Sequence, residues 1–320
     1  MSDPNPSVLL IGAGPAGISA ALWLAEFEVP FHWVDTSGEA GGQLVRVHNQ
    51  IRNVPGGIFD DGAALVSRLQ DHVQKRRLTL RQARVVSIRP EEDGVRIKME
   101  DQSSIAVKRV ILATGTSYRK LGVPGEEEGL SGKWISQSAA GDAERVAGQP
   151  VAVVGGGDAG FENALRLARV DCDVTLFLRS SSLRARPAFV RAVEEAPQIT
   201  IAPIPSIVEK IERPSPVESL PGSEGGLGCM LTIDQDGDER IMEVAALFVR
   251  IGVEPQLPGG CDELECDSRG FVQVDDHFRT SNPAIFAVGD VSVTPLRSVV
   301  TATGNGAVAA RTCASDLGYL

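Results

Sequence analysis

The stretch Ser7–Gly17 reads SVLLIGAGPAG, and the stretch Pro150–Gly160 repeats its pattern as PVAVVGGGDAG. Each begins with an apolar run typical of a buried strand and ends in G-x-G-x-x-G. A helical stretch follows each copy (ISAALWLAE; FENALRLARV), and then a second apolar run (FHWVD; DVTLFLR). This strand–turn–helix–strand order, found twice, predicts an α/β fold built from two similar units.

Each copy continues through three alternating segments that fit a β-meander: Val85–Ile88, Val95–Met99 and Ile105–Val107 in the first, Ile207–Ile211, Met230–Ile233 and Ile241–Val244 in the second. Each then closes on an apolar strand ending in glycine, RVILATG at Arg109–Gly115 and ALFVRIG at Ala246–Gly252. The strand PAIFAVGD and a helix from about Thr303 come only after the second copy. We therefore expect one domain to be inserted into the other.

The expected architecture is two Rossmann-like dinucleotide-binding domains, each three-layered and each with a β-meander. The outer domain spans about 1–116 plus 250–320, and the inner domain about 117–249. The chain crosses between them in SYRKLGVPGE and RIGVEPQLPGG, which are rich in proline and glycine. The segment ERPSPVESLPGSEGGLG is expected to be a surface loop.

The residue at the end of the second strand distinguishes the ligand of the first nucleotide site from that of the second. Asp35 lies 23 residues after Gly12, where a carboxylate can bind an adenosine ribose and would repel a 2′-phosphate. Arg179 lies 24 residues after Gly155, and its guanidinium suits a 2′-phosphate, with Arg184 and Arg186 following. The outer site is therefore expected to bind FAD or NAD, and the inner site NADP.

Two later segments favour FAD in the outer site. In AVGD, Asp290 ends a late strand, where it can bind a ribityl hydroxyl. The segment Thr301–Ala310, TATGNGAVAA, opens a helix whose amide groups can face the N1–C2=O edge of a flavin. The dipole of that helix would stabilise negative charge on the reduced ring.

Composition excludes several other classes. The net charge of −11 disfavours nucleic acid and anionic membranes as partners. No run of about 18 apolar residues and no signal-peptide pattern is present. Five scattered cysteines, Cys172, Cys229, Cys261, Cys266 and Cys313, suit a reducing compartment, so we expect a cytoplasmic protein.

The ordered motifs GAGPAG, GGQL (Gly41–Leu44), NVPG (Asn53–Gly56), ATG, VAVVGGGDAGFENA and GDV…TATGNG resemble the low-molecular-weight thioredoxin reductase family over the whole chain. The resemblance implies FAD, NADPH and a homodimer. It implies an FAD site of Gly12, Gly14, Pro15, Ala16, Gly17, Asp35, Gly42, Gln43, Leu44, Asn53, Val85, Ala113, Thr114, Gly115, Gly289, Asp290, Arg297, Ser298 and Val299. It implies an NADPH site of Gly155, Gly157, Asp158, Ala159, Gly160, Glu162, Arg179 and Arg184.

The departures from that family concern its redox centre. The family's Cys-x-x-Cys falls by spacing on Ser138 and Gly141, and no cysteine precedes Cys172. Its His-Arg-Arg-x-x-x-Arg signal retains two of three arginines, Arg179 and Arg184, and its Arg-Gln pair is Arg297-Ser298. This chain also differs from the dithiol-free relatives of that family. Thioredoxin-reductase-type ferredoxin–NADP reductases usually carry a C-terminal extension, whereas this chain ends at Leu320, and bacillithiol-disulfide reductases resemble GxGPCG, with cysteine at the position of Ala16.

Three further features have weaker functional readings. Cys261 and Cys266 have the spacing of a redox pair, but we expect them in a loop as incidental thiols. The basic stretch Gln74–Arg84 could dock an acidic electron carrier, although a solvated face is the preferred interpretation. His48 lies between two flavin motifs and could donate a proton. No metal-ligand spacing is found.

The sequence thus predicts an NADPH-dependent FAD oxidoreductase that passes electrons from reduced flavin directly to an unidentified external acceptor. One alternative is a ferredoxin- or flavin-linked electron transferase, including a diflavin form. Another is a non-catalytic FAD-binding redox sensor.

Overall fold

A computed structural model describes residues 6–213 and 228–320, so most of the expected surface loop lies outside the described residues. The helices are α1 (Pro15–Glu26), α2 (Gly62–Lys75), α3 (Glu126–Gly132), α4 (Ala139–Asp142), α5 (Asp158–Ala168), α6 (Pro187–Glu194) and α7 (Val299–Asp316). The strands are β1 (Val8–Ile11), β2 (Phe31–Asp35), β3 (Ile51–Val54), β4 (Gly57–Phe59), β5 (Leu80–Gln82), β6 (Val85–Glu91), β7 (Gly94–Met99), β8 (Ser104–Val107), β9 (Arg109–Leu112), β10 (Thr116–Tyr118), β11 (Ile135–Ser136), β12 (Pro150–Val154), β13 (Asp173–Phe177), β14 (Ile199–Ile201), β15 (Ile207–Glu212), β16 (Cys229–Gln235), β17 (Asp238–Val244), β18 (Ala246–Val249), β19 (Val253–Pro255) and β20 (Ile285–Ala287).

The chain divides into two compact units. The first, here the outer unit, consists of Met1–Ser117 and Glu254–Leu320, and the second, the inner unit, of Tyr118–Val253. The chain enters and leaves the inner unit through β10 and β19, which pair as a two-stranded sheet. Within the described residues, no helix combines the length and apolar character needed to cross a membrane.

The outer unit is built on a five-stranded sheet in the order β20-β9-β1-β2-β5. Strand β1 lies between β2 and β9, parallel to both, and its four apolar residues are buried. Strand β20 pairs with β9, so the segment after the inner unit completes this sheet as predicted.

Three layers arise because successive side chains of β1 point to opposite faces of the sheet. Leu10 packs with residues of α1 and α7, and Leu9 packs on the other face with Ile88, Val95 and Ile97 of the meander β6-β7-β8. Helices α1 and α7 approach so closely at Gly306 that a Cβ there would lie 2.2 Å from the backbone oxygen of Ala16. The predicted first meander is confirmed.

The inner unit repeats this plan with a parallel sheet in the order β11-β18-β12-β13-β14. Val151 and Val153 pack on one face with α5, and Ala152 packs on the other with the meander β15-β16-β17. The α/β class with two dinucleotide-binding-type units is therefore confirmed. One element differs from expectation: α7 begins at Val299, not near Thr303, because the Ser298 hydroxyl accepts a hydrogen bond from Thr301 N–H and caps the helix.

Candidate functional site

The glycine turn of the outer unit leaves a single open position. Gly12 has φ +109°, and a Cβ on it would lie 2.2 Å from Ala113 O. A Cβ on Gly17 would lie 2.0 Å from Gly12 O, so the third glycine permits close packing of helix on strand. At Gly14, by contrast, no described atom lies within 4 Å of an added Cβ. The backbone before α1 is thus free to receive a phosphate at the helix N-terminus.

Two side chains of β2 hold this turn. The Nε1–H of the buried Trp33 donates to Gly12 O at 2.9 Å. One carboxylate oxygen of Asp35 accepts from Ala13 N–H at 3.0 Å, and the other accepts from the N–H and hydroxyl of Ser37. Asp35 is half-buried and keeps acceptor capacity for a ribose, since each carboxylate oxygen has two lone pairs.

The GGQL segment folds as a 3₁₀ turn, Gly42–Arg46, against the glycine turn. A Cβ on Gly42 would lie 2.8 Å from Gly14 Cα. The Gln43 amide donates to the carbonyl and hydroxyl oxygens of Thr116, which ties this turn to the end of the ATG segment. Further expected FAD residues are Leu44, buried; Val85, Thr114 and Gly115, half-buried; Ala113, buried; and Asn53, exposed. His48 is exposed, and nothing in the structure gives it a role.

Asp290 follows the carboxyl end of β20, which runs parallel to β9 and so ends on the same side of the sheet as the glycine turn after β1. Burial raises the pKa of Asp290, and the charge of Arg297 opposes that rise. The Arg297 guanidinium lies over the ring of Phe271 at 4.0 Å from its centroid. Its Nε and Nη2 are buried and have no hydrogen-bond partner among the described residues. Because buried donors normally have acceptors, this pair fits a cofactor that carries oxygen acceptors, as FAD does.

The backbone beside this pair is also shaped for close approach. Gly289 has φ +72°, and a Cβ on it would lie 2.9 Å from the Ala16 side chain. Ala16 and Pro15 form the first turn of α1. Ser298 caps α7 and Val299 is its first residue, so the free N-terminal amide groups of this helix come directly after Arg297 in the chain.

The inner glycine turn reproduces the outer one. Gly155 has φ +148°, and its added Cβ would lie 2.3 Å from Arg250 O. A Cβ on Gly160 would lie 2.1 Å from Gly155 O, and at Gly157 no described atom lies within 4 Å. The N-terminus of α5 is therefore open in the same way, and Asp158 and Ala159 form its first turn.

Three arginines follow β13 in the inner unit. Arg179, Arg184 and Arg186 are all exposed. Arg184 N–H donates to Gly156 O at 2.9 Å, which holds this loop against the glycine turn. Arg186 is engaged by Asp158, whose carboxylate accepts from its N–H and Nε at 2.7 Å each. Among the described residues, Arg179 and Arg184 form no ion pair, so both remain available to a phosphate, and Glu162 is exposed on α5.

The comparisons with known proteins agree with this geometry. The family model described as pyridine nucleotide-disulphide oxidoreductase matches residues 6–306. The chain belongs to that family. The thioredoxin reductase of Listeria monocytogenes is 33% identical over 310 residues, covering 94% of this chain and 91% of its own. That of Peptoclostridium litorale is 31% identical over 307 residues, covering 95% and 94%. The crystal structure of Lactococcus lactis thioredoxin reductase superposes with TM-score 0.78 at 29% identity, covering 99% and 100%.

Membership makes the chain a flavoprotein oxidoreductase of the thioredoxin-reductase-like type. Thioredoxin reductases use FAD and NADPH, and the two open glycine turns, with the orphaned Arg297 donors in the outer unit, fit these two nucleotides. The family, the enzyme class and the cofactors FAD and NADPH that the sequence predicts are therefore confirmed.

The segment Ser136–Asp142 is held by polar contacts of serine, asparagine and aspartate. The Ser136 hydroxyl donates to Asp142 at 2.6 Å and accepts from Ser138 N–H at 3.0 Å. Asn163 of α5 accepts from Ala139 N–H at 2.6 Å. Gly141 is exposed on the short helix α4. Asn163 thus ties this segment to α5, the helix that follows the inner glycine turn.

The cysteines lie elsewhere. Cys172, Cys229, Cys261 and Cys313 are buried, and burial raises the pKa of Cys229, Cys261 and Cys313 to about 12. Cys266 is half-buried, and burial raises its pKa as well. Neither thiol of the 261–266 pair is thus a ready thiolate, the reactive form in disulfide exchange. The described residues contain no group of three or more potential metal ligands.

The basic stretch 74–84 is partly neutralised by ion pairs on the surface. Lys75 pairs with Asp71, Arg76 with Glu26, and Arg84 with Glu100. These pairs neutralise three of the five basic side chains of the stretch, which favours the solvated-face interpretation over a dense positive patch for an acidic carrier.

Sequence reasoning missed two residues that shape the glycine turns. Trp33 lies in the apolar run FHWVD, and its hydrogen bond to Gly12 O has no sequence signature. Arg250 lay in ALFVRIG, where the repeat offered a signal: superposing the two copies aligns it with Ala113 of RVILATG.

Proposed function

We propose that this protein is an NADPH-dependent FAD oxidoreductase that passes electrons from reduced flavin directly to an external acceptor, with no dithiol relay. The observation that carries this proposal is the segment Ser138–Gly141. It occupies the family's dithiol position without a cysteine, and the polar network around Ser136, Asp142 and Asn163 holds it in place.

We assign FAD to the outer unit, Met1–Ser117 plus Glu254–Leu320, and NADPH to the inner unit, Tyr118–Val253. These bounds lie within a few residues of the expected domains, about 1–116 plus 250–320 and about 117–249. In the outer domain the open position at Gly14 would take the pyrophosphate, Asp35 the adenosine ribose and Asp290 the ribityl chain. Gln43 and the N-terminus of α7 would lie at the flavin. These assignments are supported by the open glycine turn and by the unpaired donors of Arg297.

In the inner domain Gly157 would receive the pyrophosphate, and Arg179 and Arg184 the 2′-phosphate. A charge-assisted contact of about 1.5–3 kcal/mol implies roughly ten- to hundred-fold preference for NADPH over NADH. Equal half-reaction rates with both nucleotides at limiting concentration, unchanged in Arg179→Ala, would refute this assignment.

The two nucleotides supply hydride transfer and two-electron storage when bound. The chain contributes binding and orientation. Glycine backbones allow close approach of the phosphates, Asp35 fixes a ribose, and the amide groups that open α7 stabilise developing negative charge. Without a thiol pair, the protein itself forms no covalent bond to the acceptor.

Two steps test the proposal. The purified protein should be yellow, or become so with FAD, and anaerobic NADPH should bleach it rapidly. The bleached protein is then offered ferredoxin, quinone, low-molecular-weight disulfides, free flavin and oxygen, and reoxidation rates are measured. Failure with NADPH but reduction by ferredoxin would establish the electron-transferase alternative. A protein that stays colourless with FAD would end the proposal.

We also propose a cytoplasmic homodimer, as the family resemblance implies. The scattered free cysteines are consistent with a reducing compartment. Sedimentation equilibrium should give twice the chain mass of 33.9 kDa, and a single-chain mass would contradict the dimer.

A further inference from the structure

Arg250 occupies a special position in the repeat. Its N–H donates to Val154 O at 2.8 Å, and its carbonyl oxygen would lie 2.3 Å from a Cβ on Gly155. In the outer unit Ala113 makes the same two contacts: its N–H donates to Ile11 O at 2.8 Å, and its carbonyl oxygen would lie 2.2 Å from a Cβ on Gly12. The backbones are equivalent, but the inner unit has a cationic side chain where the outer unit has a methyl group.

The sheet topology shows which part of a dinucleotide this side chain faces. From β12 the chain builds β13 and then β14 on one side, whereas β18 and β11 lie on the other. The strand order therefore reverses between β12 and β18, and dinucleotides bind across such a switch point at the carboxyl ends of the strands. Arg179 follows β13 and marks the adenosine side. Arg250 follows β18 and so lies on the nicotinamide side.

The guanidinium of Arg250 is already held in place. Its Nη1 donates to Gln137 O at 2.5 Å, and it lies over the Tyr118 ring at 4.6 Å from the centroid. Its Nε is buried without a hydrogen-bond acceptor among the described residues. The residue as a whole remains partly exposed, and Nη2 takes part in none of the hydrogen bonds found among the described residues. A donor fixed in this way binds a ligand at little cost in side-chain entropy.

We propose that Arg250 binds the nicotinamide half of NADPH, donating hydrogen bonds to its oxygen acceptors. This inference rests on the proposed function, in which the inner unit binds NADPH. Arg179 would recognise the 2′-phosphate and so distinguish NADPH from NADH. Arg250 would contribute equally to both, because their nicotinamide halves are identical.

Three ligands separate the two roles. Dissociation constants are measured for NADPH, NADH and adenosine 2′,5′-bisphosphate, which carries the 2′-phosphate but has no nicotinamide half. Arg250→Gln should weaken NADPH and NADH about tenfold, as expected for a charge-assisted bond, and leave the bisphosphate unchanged. Arg179→Gln should weaken NADPH and the bisphosphate and leave NADH unchanged. Arg169→Gln, at the exposed end of α5, is the matched control and should change none.

Two results would overturn the proposal. One is wild-type affinity for NADPH in Arg250→Gln. The other is equal loss for all three ligands, which would indicate that Arg250 only supports the fold through Gln137 and Tyr118. If Arg250→Gln does not fold, Arg250→Lys replaces it and should show the same selective loss, to a smaller degree. If the wild-type protein binds neither NADPH nor the bisphosphate, the proposed function itself fails, which is a different outcome.

Discussion

Substitutions at two glycines of the outer turn, Gly17 and Gly14, should separate protein stability from cofactor binding. In Gly17→Ala the new methyl would lie 2.0 Å from Gly12 O, a backbone atom that cannot rotate away. Overpacking of this kind costs about 3 kcal/mol, and the better helix propensity of alanine returns about 1 kcal/mol. The net loss of about 2 kcal/mol should lower the melting temperature of the FAD-free protein by roughly 4–8 °C.

Gly14→Ala should behave in the opposite way. Its φ of −74° suits alanine, and no described atom lies within 4 Å of the added Cβ. The FAD-free protein should therefore keep its stability to within about 1 kcal/mol. The methyl would fill the space through which a pyrophosphate reaches the helix N-terminus, so FAD affinity should fall at least about tenfold.

The assay combines thermal melting of the FAD-free protein with titration of FAD by flavin fluorescence. Gly157→Ala is the matched control, because the same change at the open position of the inner turn should spare FAD affinity and weaken NADPH. Wild-type FAD affinity in Gly14→Ala would refute the reasoning, and so would an unchanged melting temperature in Gly17→Ala.

Three further outcomes follow from buried groups. Burial raises the pKa of Asp290 above its usual 3.8, so the folded state favours the protonated carboxyl. The folded state therefore loses stability as the pH rises from about 4, the pKa in the unfolded chain, to above the higher pKa in the folded protein. Urea unfolding of FAD-free Asp290→Asn should therefore show a stability gain over wild type that is larger at pH 7 than at pH 4, and a constant difference would contradict the pKa direction. Trp33→Phe leaves the Gly12 carbonyl unpaired and should cost about 1–3 kcal/mol in thermal melts, whereas Trp23→Phe at the surface should be neutral. Thiol titration of the native protein at pH 8 should detect Cys266 well before the four buried cysteines, and rapid labelling of two or more would oppose the described burial.

Much of the fold could be predicted because short-range patterns of apolar and turn residues determine its elements. The two glycine motifs, both meanders and the late strand Ile285–Ala287 were expected from apolar runs and turn residues, and all were found. The insertion of one unit in the other followed from the order of these elements. The start of α7 differs from the expected position near Thr303, because the Ser298 cap begins the helix at Val299.

The side-chain contacts were not predictable, because they join residues far apart in the chain. The bond from Gln43 to Thr116 and that from Arg250 to Gln137 each depend on how several strands assemble. Neither pair shows periodicity or motif spacing. The repeat itself supplied one usable comparison, since the alignment of Ala113 with Arg250 depends only on the sequence.

The central claim is that electrons leave the flavin without a thiol. The most direct measurement is NADPH-driven reduction of the best acceptor by a variant in which all five cysteines are serine, with bound FAD and anaerobic bleaching by NADPH as the controls for folding and for the first half-reaction. The account predicts that the rate stays within about twofold of wild type, since no step uses sulfur chemistry. A variant that still binds FAD and is still bleached by NADPH, yet no longer reduces the acceptor, would show that a cysteine relay exists and would contradict the account.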